Sequence, residues 1–184
     1  GFDACLMATV DVAFTFADVA EYLVASEELE PGNGWDYSAW LRELSADPAM
    51  GGAKLGKLIC DSYKSSADSR GEGGEITLSV TDLTKLQPLI EAYDAMGREA
   101  LGKALNNPSF FSEFGRQASR SESYGGNNNQ EGYTNMVDLG HLARNASALL
   151  PESRAAVTEA LADCVIYRVN GIYRSQAGGL SCYY

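Results

Sequence analysis

The 184-residue sequence has a single histidine, His141, and four cysteines, Cys5, Cys60, Cys164 and Cys182, which lie far apart and form no CxxC pair. A His-rich metal site is therefore excluded within this chain. The spacing of a cysteine-based zinc site is absent, and a disulfide framework is not expected at this size and cysteine density. Basic residues are scarce too: 14 Lys and Arg stand against 25 Asp and Glu, a formal charge of -11. Such a surface repels phosphate backbones and anionic lipid, so neither nucleic acid nor a membrane is an expected partner. No apolar run approaches the ~20 residues that span a bilayer. There is no basic-then-apolar signal segment at the start, no P-loop, no GxGxxG pattern and no internal repeat.

What is present is an ordinary globular composition, 45% hydrophobic over a length sufficient for one buried core. Leu6, Val10, Ala13, Phe14 and Ala17 recur at helical spacing, which predicts a helix from Cys5 to about Ala20. "YLVA" (22–25) reads as a short buried strand, and "EPGNGWDY" (30–37) as a loop leaving its end. Two helices follow in "SAWLREL" and "GAKLGKLICDSYKS", then a turn at "GEGGE" and a strand at "ITLSV". Asp82 is a candidate N-cap for the next helix, whose apolar face carries Leu86, Leu89, Ile90, Tyr93 and Leu101. "SRSESYGGNNNQEGYTN" is polar and aperiodic and predicts an exposed loop, after which "MVDLGHLARNASALL" resumes a periodic pattern. Pro151 sits at a candidate N1 position of a further helix, and "CVIYRVNG" and "GGLSCYY" read as two closing strands. Short apolar strands interleaved with amphipathic helices predict an α/β fold, a three-layer α/β/α sandwich around a mostly parallel sheet.

The residue of chemical interest is Cys5. At a strand-to-helix junction its thiol would lie near unpaired backbone N–H groups and the positive end of a helix dipole, which favours the thiolate. The Asp3 charge opposes that effect, so a histidine partner would be needed for a nucleophile. Burial in a core is the competing reading, because free cysteine is among the most buried residue types.

"FDACLM" followed by "TVDVAF", "YLVASEE", "PGNGWDY", "ITLSVTDL", "MVDL" and "GGLSCYY" resembles, in order and along most of the chain, the clostripain-like cysteine peptidases. The resemblance implies a caspase-like α/β/α fold and residues 1–184 as the cysteine-bearing part of one peptidase domain. It implies hydrolysis of protein or peptide substrates through a thioester acyl-enzyme, with Cys5 as nucleophile and a histidine as general base and then acid. Cleavage after Arg or Lys, bacterial origin, export to the cell envelope or beyond, and maturation into two associated chains are family traits. No cofactor is required for the chemistry, although calcium dependence is known among members.

The family's histidine precedes the cysteine, and none of the four residues before Cys5 is histidine. His141 lies in a helical pattern that gives it no reason to meet Cys5. The expected base therefore belongs to an upstream segment that would associate with this chain, and both ends read as cuts through a domain. The alternative is a catalytically silent binding or structural domain. Asp3 matches a position that lines the family's primary pocket, where a carboxylate pairs with a basic side chain; capping of the helix start is its other reading. An ungapped match puts Asn33 at or near a second acidic pocket position, where an amide lacks the Coulombic attraction of a carboxylate. Glu28, Glu30 and Asp36 are the acids that could stand in. Cys60 and Cys164 fall on apolar helical faces and are expected in the core.

Overall fold

The computed structural model describes residues 1–128, 130 and 132–184. A short helix α1 (Val10–Phe16) precedes strand β1 (Tyr22–Ala25), and helices α2 (Tyr37–Ala46) and α3 (Gly52–Ser69) lead to β2 (Thr77–Asp82). A 3-10 turn (Leu83–Lys85) opens on α4 (Gln87–Asn106) and α5 (Phe110–Ala118). The short strands β3 (Ser123–Tyr124), β4 (Asn127–Asn128), β5 (Gly132–Tyr133) and β6 (Met136–Asp138) come next. They are followed by α6 (Leu139–Asn145), α7 (Arg154–Cys164), β7 (Val165–Asn170) and β8 (Ser181–Tyr183).

One sheet has the order β1-β2-β7, a second β3-β6-β8, and β4-β5 form a hairpin. The expected mostly parallel sheet is not what these strands make. Every strand pair with a register among the described residues is antiparallel, and the parallel contact is a single bridge between Thr9 and Ser181. The interleaving of strands and helices does not by itself fix the direction in which each strand enters the sheet. Two helices separate β1 from β2, so the chain can reverse twice in the helical layer and re-enter the sheet in the opposite direction.

Residues 1–9 tie the two main sheets together. Phe2 N–H donates to Val24 O at 2.9 Å and Ala8 N–H to Ser26 O at 2.8 Å, while Ser181 N–H donates to Ala8 O at 2.8 Å. Apolar residues fill both faces of the first sheet. Val24, Leu78 and Val80 pack with Ile59, Cys60, Tyr63 and Ala67 of α3. Leu23, Ala25 and Val165 pack on the other side with residues of α1, α4, α6 and α7. Close approach of α3 depends on Gly56, where a Cβ would stand 2.9 Å from both Val80 methyl groups.

Several local expectations shift. Thr9 caps α1, its Oγ1 accepting from Val12 N at 3.0 Å, so the helix starts five residues after Cys5. Asp82 caps the 3-10 turn rather than α4, and α7 begins after Ser153, beyond Pro151. The polar stretch 119–135, of which positions 129 and 131 lie outside the described residues, is not a plain loop. It contributes β3, and Tyr124 is fully buried.

Candidate active site

Cys5 follows the N-terminal stretch alongside β1 and is exposed, whereas Cys60, Cys164 and Cys182 are buried. Burial pushes the Cys164 thiol up to about 11 and that of Cys182 to about 12, and moves Cys60 in the same direction, so none of the three is a thiolate near neutral pH. The sulfur of Cys5 instead meets a backbone amide: Glu30 N–H points to Sγ at 3.2 Å. As a thiol, Cys5 faces Glu30 O at 3.9 Å. The helix-dipole argument made from the sequence does not hold, because α1 has only seven residues and Thr9 already occupies its N-terminus. Leu6, next in the chain, has φ 62°, a left-handed conformation uncommon for a leucine. That turn takes the backbone sharply away from Cys5, and Leu6 N–H donates to Glu28 O at 3.3 Å.

Cys5 opens on a cavity of about 320 Å³ lined by Asp3, Ala4, Glu30, Pro31, Gly32, Asn33 and Gly34. Asp3 Oδ2 accepts from Trp35 N–H at 3.3 Å. Gly34 has φ 63°, and a Cβ on it would stand 2.8 Å from Asp3 Oδ2. Only glycine satisfies both the dihedral and the contact.

Among the three acids that could have served beside Asp3, Glu30 is the one in place. Burial, then the neighbouring carboxyl of Asp3, raises its carboxyl to about 8 against a small opposing effect of the Trp35 indole. Both Glu30 oxygens are shut off from solvent without a hydrogen bond of good geometry, so its contact with Asp3 is a close approach rather than a formed bond. Asp36 is used as the cap of α2, accepting from Ala39 N at 3.1 Å, and Glu28 is ion-paired with Arg174 at 2.5 Å. Asn33 lines the cavity, but its amide donates to Glu72 at 3.0 and 3.3 Å. Tyr37, partly exposed and 5.3 Å from the ring of Trp40, has its phenol pKa raised chiefly by the neighbouring Asp3 carboxylate. The buried Tyr63 hydroxyl has no partner, and burial followed by the charges of Glu30, Asp3 and Cys5 raises its pKa. The site is a thiol beside an acidic, partly desolvated cavity.

His141 is engaged elsewhere. Its Nδ1 accepts from Glu122 N–H at 3.1 Å, its backbone N–H is bound by the Asp138 cap, and burial together with Arg144 lowers its pKa. No hydrogen bond joins it to Cys5. The acids that sequence reasoning missed form a second, buried group. Glu27 accepts from Gly179 N–H at 2.9 Å, and its proton is held by burial and by the Asp138 charge. Asp138 in turn accepts from His141 and Gly178 N–H groups. The adjacent glutamates 27 and 28 right after the β1 run were the only signal, and no local pattern marks them as buried.

The sequence profile of the clostripain family matches residues 1–179. The chain belongs to the clostripain family. A comparison with curated proteins finds no match. Among solved structures, a Bacteroides fragilis cysteine protease is similar at 19% identity and TM-score 0.65, over 100% of this chain and 76% of its own. A clostripain from Bacteroides thetaiotaomicron in complex with the peptide inhibitor BTN-VLTK-AOMK gives 21% and 0.66, covering 98% and 75%. An inactive zymogen C11 protease from Parabacteroides distasonis gives 19% and 0.72, over 99% of this chain but 51% of that one. The clostripain-family chain thus spans between half and three quarters of these relatives, and they share its α/β fold. Among the described residues no three His, Cys, Asp or Glu side chains are grouped to hold a metal ion.

Proposed function

We propose that this clostripain-family chain carries the nucleophile and the primary specificity pocket of a cysteine endopeptidase that cleaves after Arg or Lys. The observation that carries the reading is the exposed Cys5 sulfur, 3.2 Å from a backbone N–H and opening on the cavity that holds Asp3 and Glu30. The Cys5 thiolate attacks the scissile carbonyl carbon, the amine leaves with a proton from a general acid, and water then hydrolyses the thioester. The acid and base are one histidine supplied from outside these 184 residues, on a segment that completes a caspase-like α/β/α sandwich. Asp3 and Glu30 receive the basic side chain, with Asn33 at the rim. An arriving cation favours the charged form of Glu30, so binding releases a proton below about pH 8. The inhibitor bound to the Bacteroides thetaiotaomicron relative, whose peptide VLTK carries lysine next to the AOMK end, supports a basic preference. Another relative, from the same species, is described as secreted, which supports export.

His141, bound to Glu122 and remote in its hydrogen bonding from Cys5, leaves room for one rival: a silent domain that binds peptides without cleaving them. Treating the full gene product with a lysine-derived acyloxymethyl ketone separates the two. Mass-spectrometric labelling at Cys5, abolished by Cys5→Ala and by Asp3→Asn with Glu30→Gln, is the expected result. Labelling at Cys60 or Cys164 instead, or none together with no peptide hydrolysis, rejects the peptidase reading.

A further inference from the structure

The backbone that carries the amide meeting the Cys5 sulfur is linked, through Glu28, to a side chain from the far end of the sequence. Glu30 N–H lies at 3.2 Å from Sγ, and the preceding residue, Leu29, donates its N–H to Glu28 Oε1 at 2.7 Å. The same oxygen accepts from Gly125 N–H at 2.9 Å, while Oε2 takes Arg174 at 2.5 Å. Glu28 is almost fully buried, with a side-chain exposure of 6%, so its charge is stable only if it is compensated. Arg174 supplies that compensation from the 171–180 loop between β7 and β8. Its guanidinium also reaches Glu75 at 3.3 Å and Glu122 at 3.7 Å, and lies over the Tyr124 ring at 6.0 Å. A planar fork engaged on several sides fixes its partner more tightly than a point charge.

We propose that Arg174 is a positioning residue for Cys5: through Glu28 it locks the Leu29–Glu30 backbone so that the Glu30 N–H stays aimed at the sulfur. The inference rests on the reading of Cys5 as nucleophile, because only a thiolate benefits from a fixed amide donor. Arg174 does not touch the thiol. It acts by holding the carboxylate that holds the strand end, and the neighbouring backbone supports this, since Ser26 Oγ–H donates to Glu28 O at 2.9 Å. Loss of Arg174 leaves a buried, unpaired Glu28, which must rotate to solvent or take up a proton, and either releases the 29–30 backbone.

The test is the rate of Cys5 alkylation by iodoacetamide against pH, which requires no peptidase activity. The three buried cysteines, 60, 164 and 182, report in the same digest whether a variant has opened. In the full-length protein, Arg174→Met is expected to raise the midpoint of the Cys5 profile by about one pH unit, a roughly tenfold slower reaction at pH 7, with the high-pH rate unchanged. Arg174→Lys recovers part of that loss, because charge is kept and the fork is not. Glu28→Gln decides the mechanism by its sign. Removing a negative charge near a thiolate should speed alkylation if Coulombic effects dominate, whereas loss of the anchor slows it several-fold. Superimposable profiles for wild type and Arg174→Met, or faster alkylation in Glu28→Gln, overturn the proposal. Should Arg174→Met expose the buried cysteines, the Glu28→Gln result stands by itself. If Arg174→Met slows Cys5 alkylation as expected while the wild type cleaves no peptide, the peptidase reading fails and the positioning role survives.

Discussion

Replacing Glu30 by glutamine removes a carboxyl group whose proton is held to about pH 8 by burial and by Asp3. In the unfolded chain the same proton leaves near pH 4.5. Between those values the folded state binds a proton that the unfolded state does not, so this group makes folding less favourable as pH rises from 4.5 to 8 and adds no further change above. Moving a carboxyl over that interval corresponds to about 5 kcal/mol if taken at face value. Glu30 as a whole is only part-buried, although its two oxygens are covered, and screening by the nearby solvent reduces the expected effect to about 2 kcal/mol. The glutamine variant has no such titration. Urea denaturation of both proteins at intervals from pH 4.5 to 8.5 should therefore show the variant gaining about 2 kcal/mol on the wild type across the window, because all other titrations cancel in the difference. A difference that stays constant within about 0.5 kcal/mol would mean that the Glu30 carboxyl is solvated, and the acidic cavity beside Cys5 would lose its main electrostatic feature.

The buried Tyr63 hydroxyl is unpartnered, so Tyr63→Phe should leave the urea midpoint unchanged or raise stability by up to about 1 kcal/mol; a loss above that would reveal a hidden partner. Glu27→Gln keeps an acceptor for Gly179 N–H and a donor for Asp138, and thermal denaturation should place it within about 1 kcal/mol of wild type. Glu27→Ala, which strips a partner from a buried acid, should cost about 3 kcal/mol. Gly56→Ala drives a methyl into Val80 and should cost about 1–3 kcal/mol in a chemical melt; a neutral result would mean that α3 can slide on the sheet. Gly34→Ala meets both a positive φ and the Asp3 carboxylate, and should lower basic-peptide affinity more than overall stability, read as KM against urea midpoint.

Much of the local structure was legible in the sequence. The short apolar run "YLVA", the β-branched "ITLSV", and the two helical segments "SAWLREL" and "GAKLGKLICDSYKS" place β1, β2, α2 and α3 where the structure has them. Cys60 and Cys164 were assigned to the core from their helical faces, and both are fully buried. The start of α1 was misplaced because Leu6 fits the apolar period, although its backbone turns left-handed before the Thr9 cap. Buried Tyr124 was invisible because a two-residue strand within a Gly/Asn-rich stretch has no period to read.

The sequence by itself determined the composition limits, the run of elements, the prominence of Cys5 and Asp3, and the family resemblance through their motif. These depend on neighbours within a few residues, where periodicity and caps act. The tertiary structure decided that β1, β2 and β7 pair antiparallel, that Glu30 rather than Asp36 or Glu28 stands beside Asp3, and that Arg174 reaches Glu28 across the chain. Those choices turn on which groups are desolvated together, and desolvation depends on contacts between segments that no local pattern records.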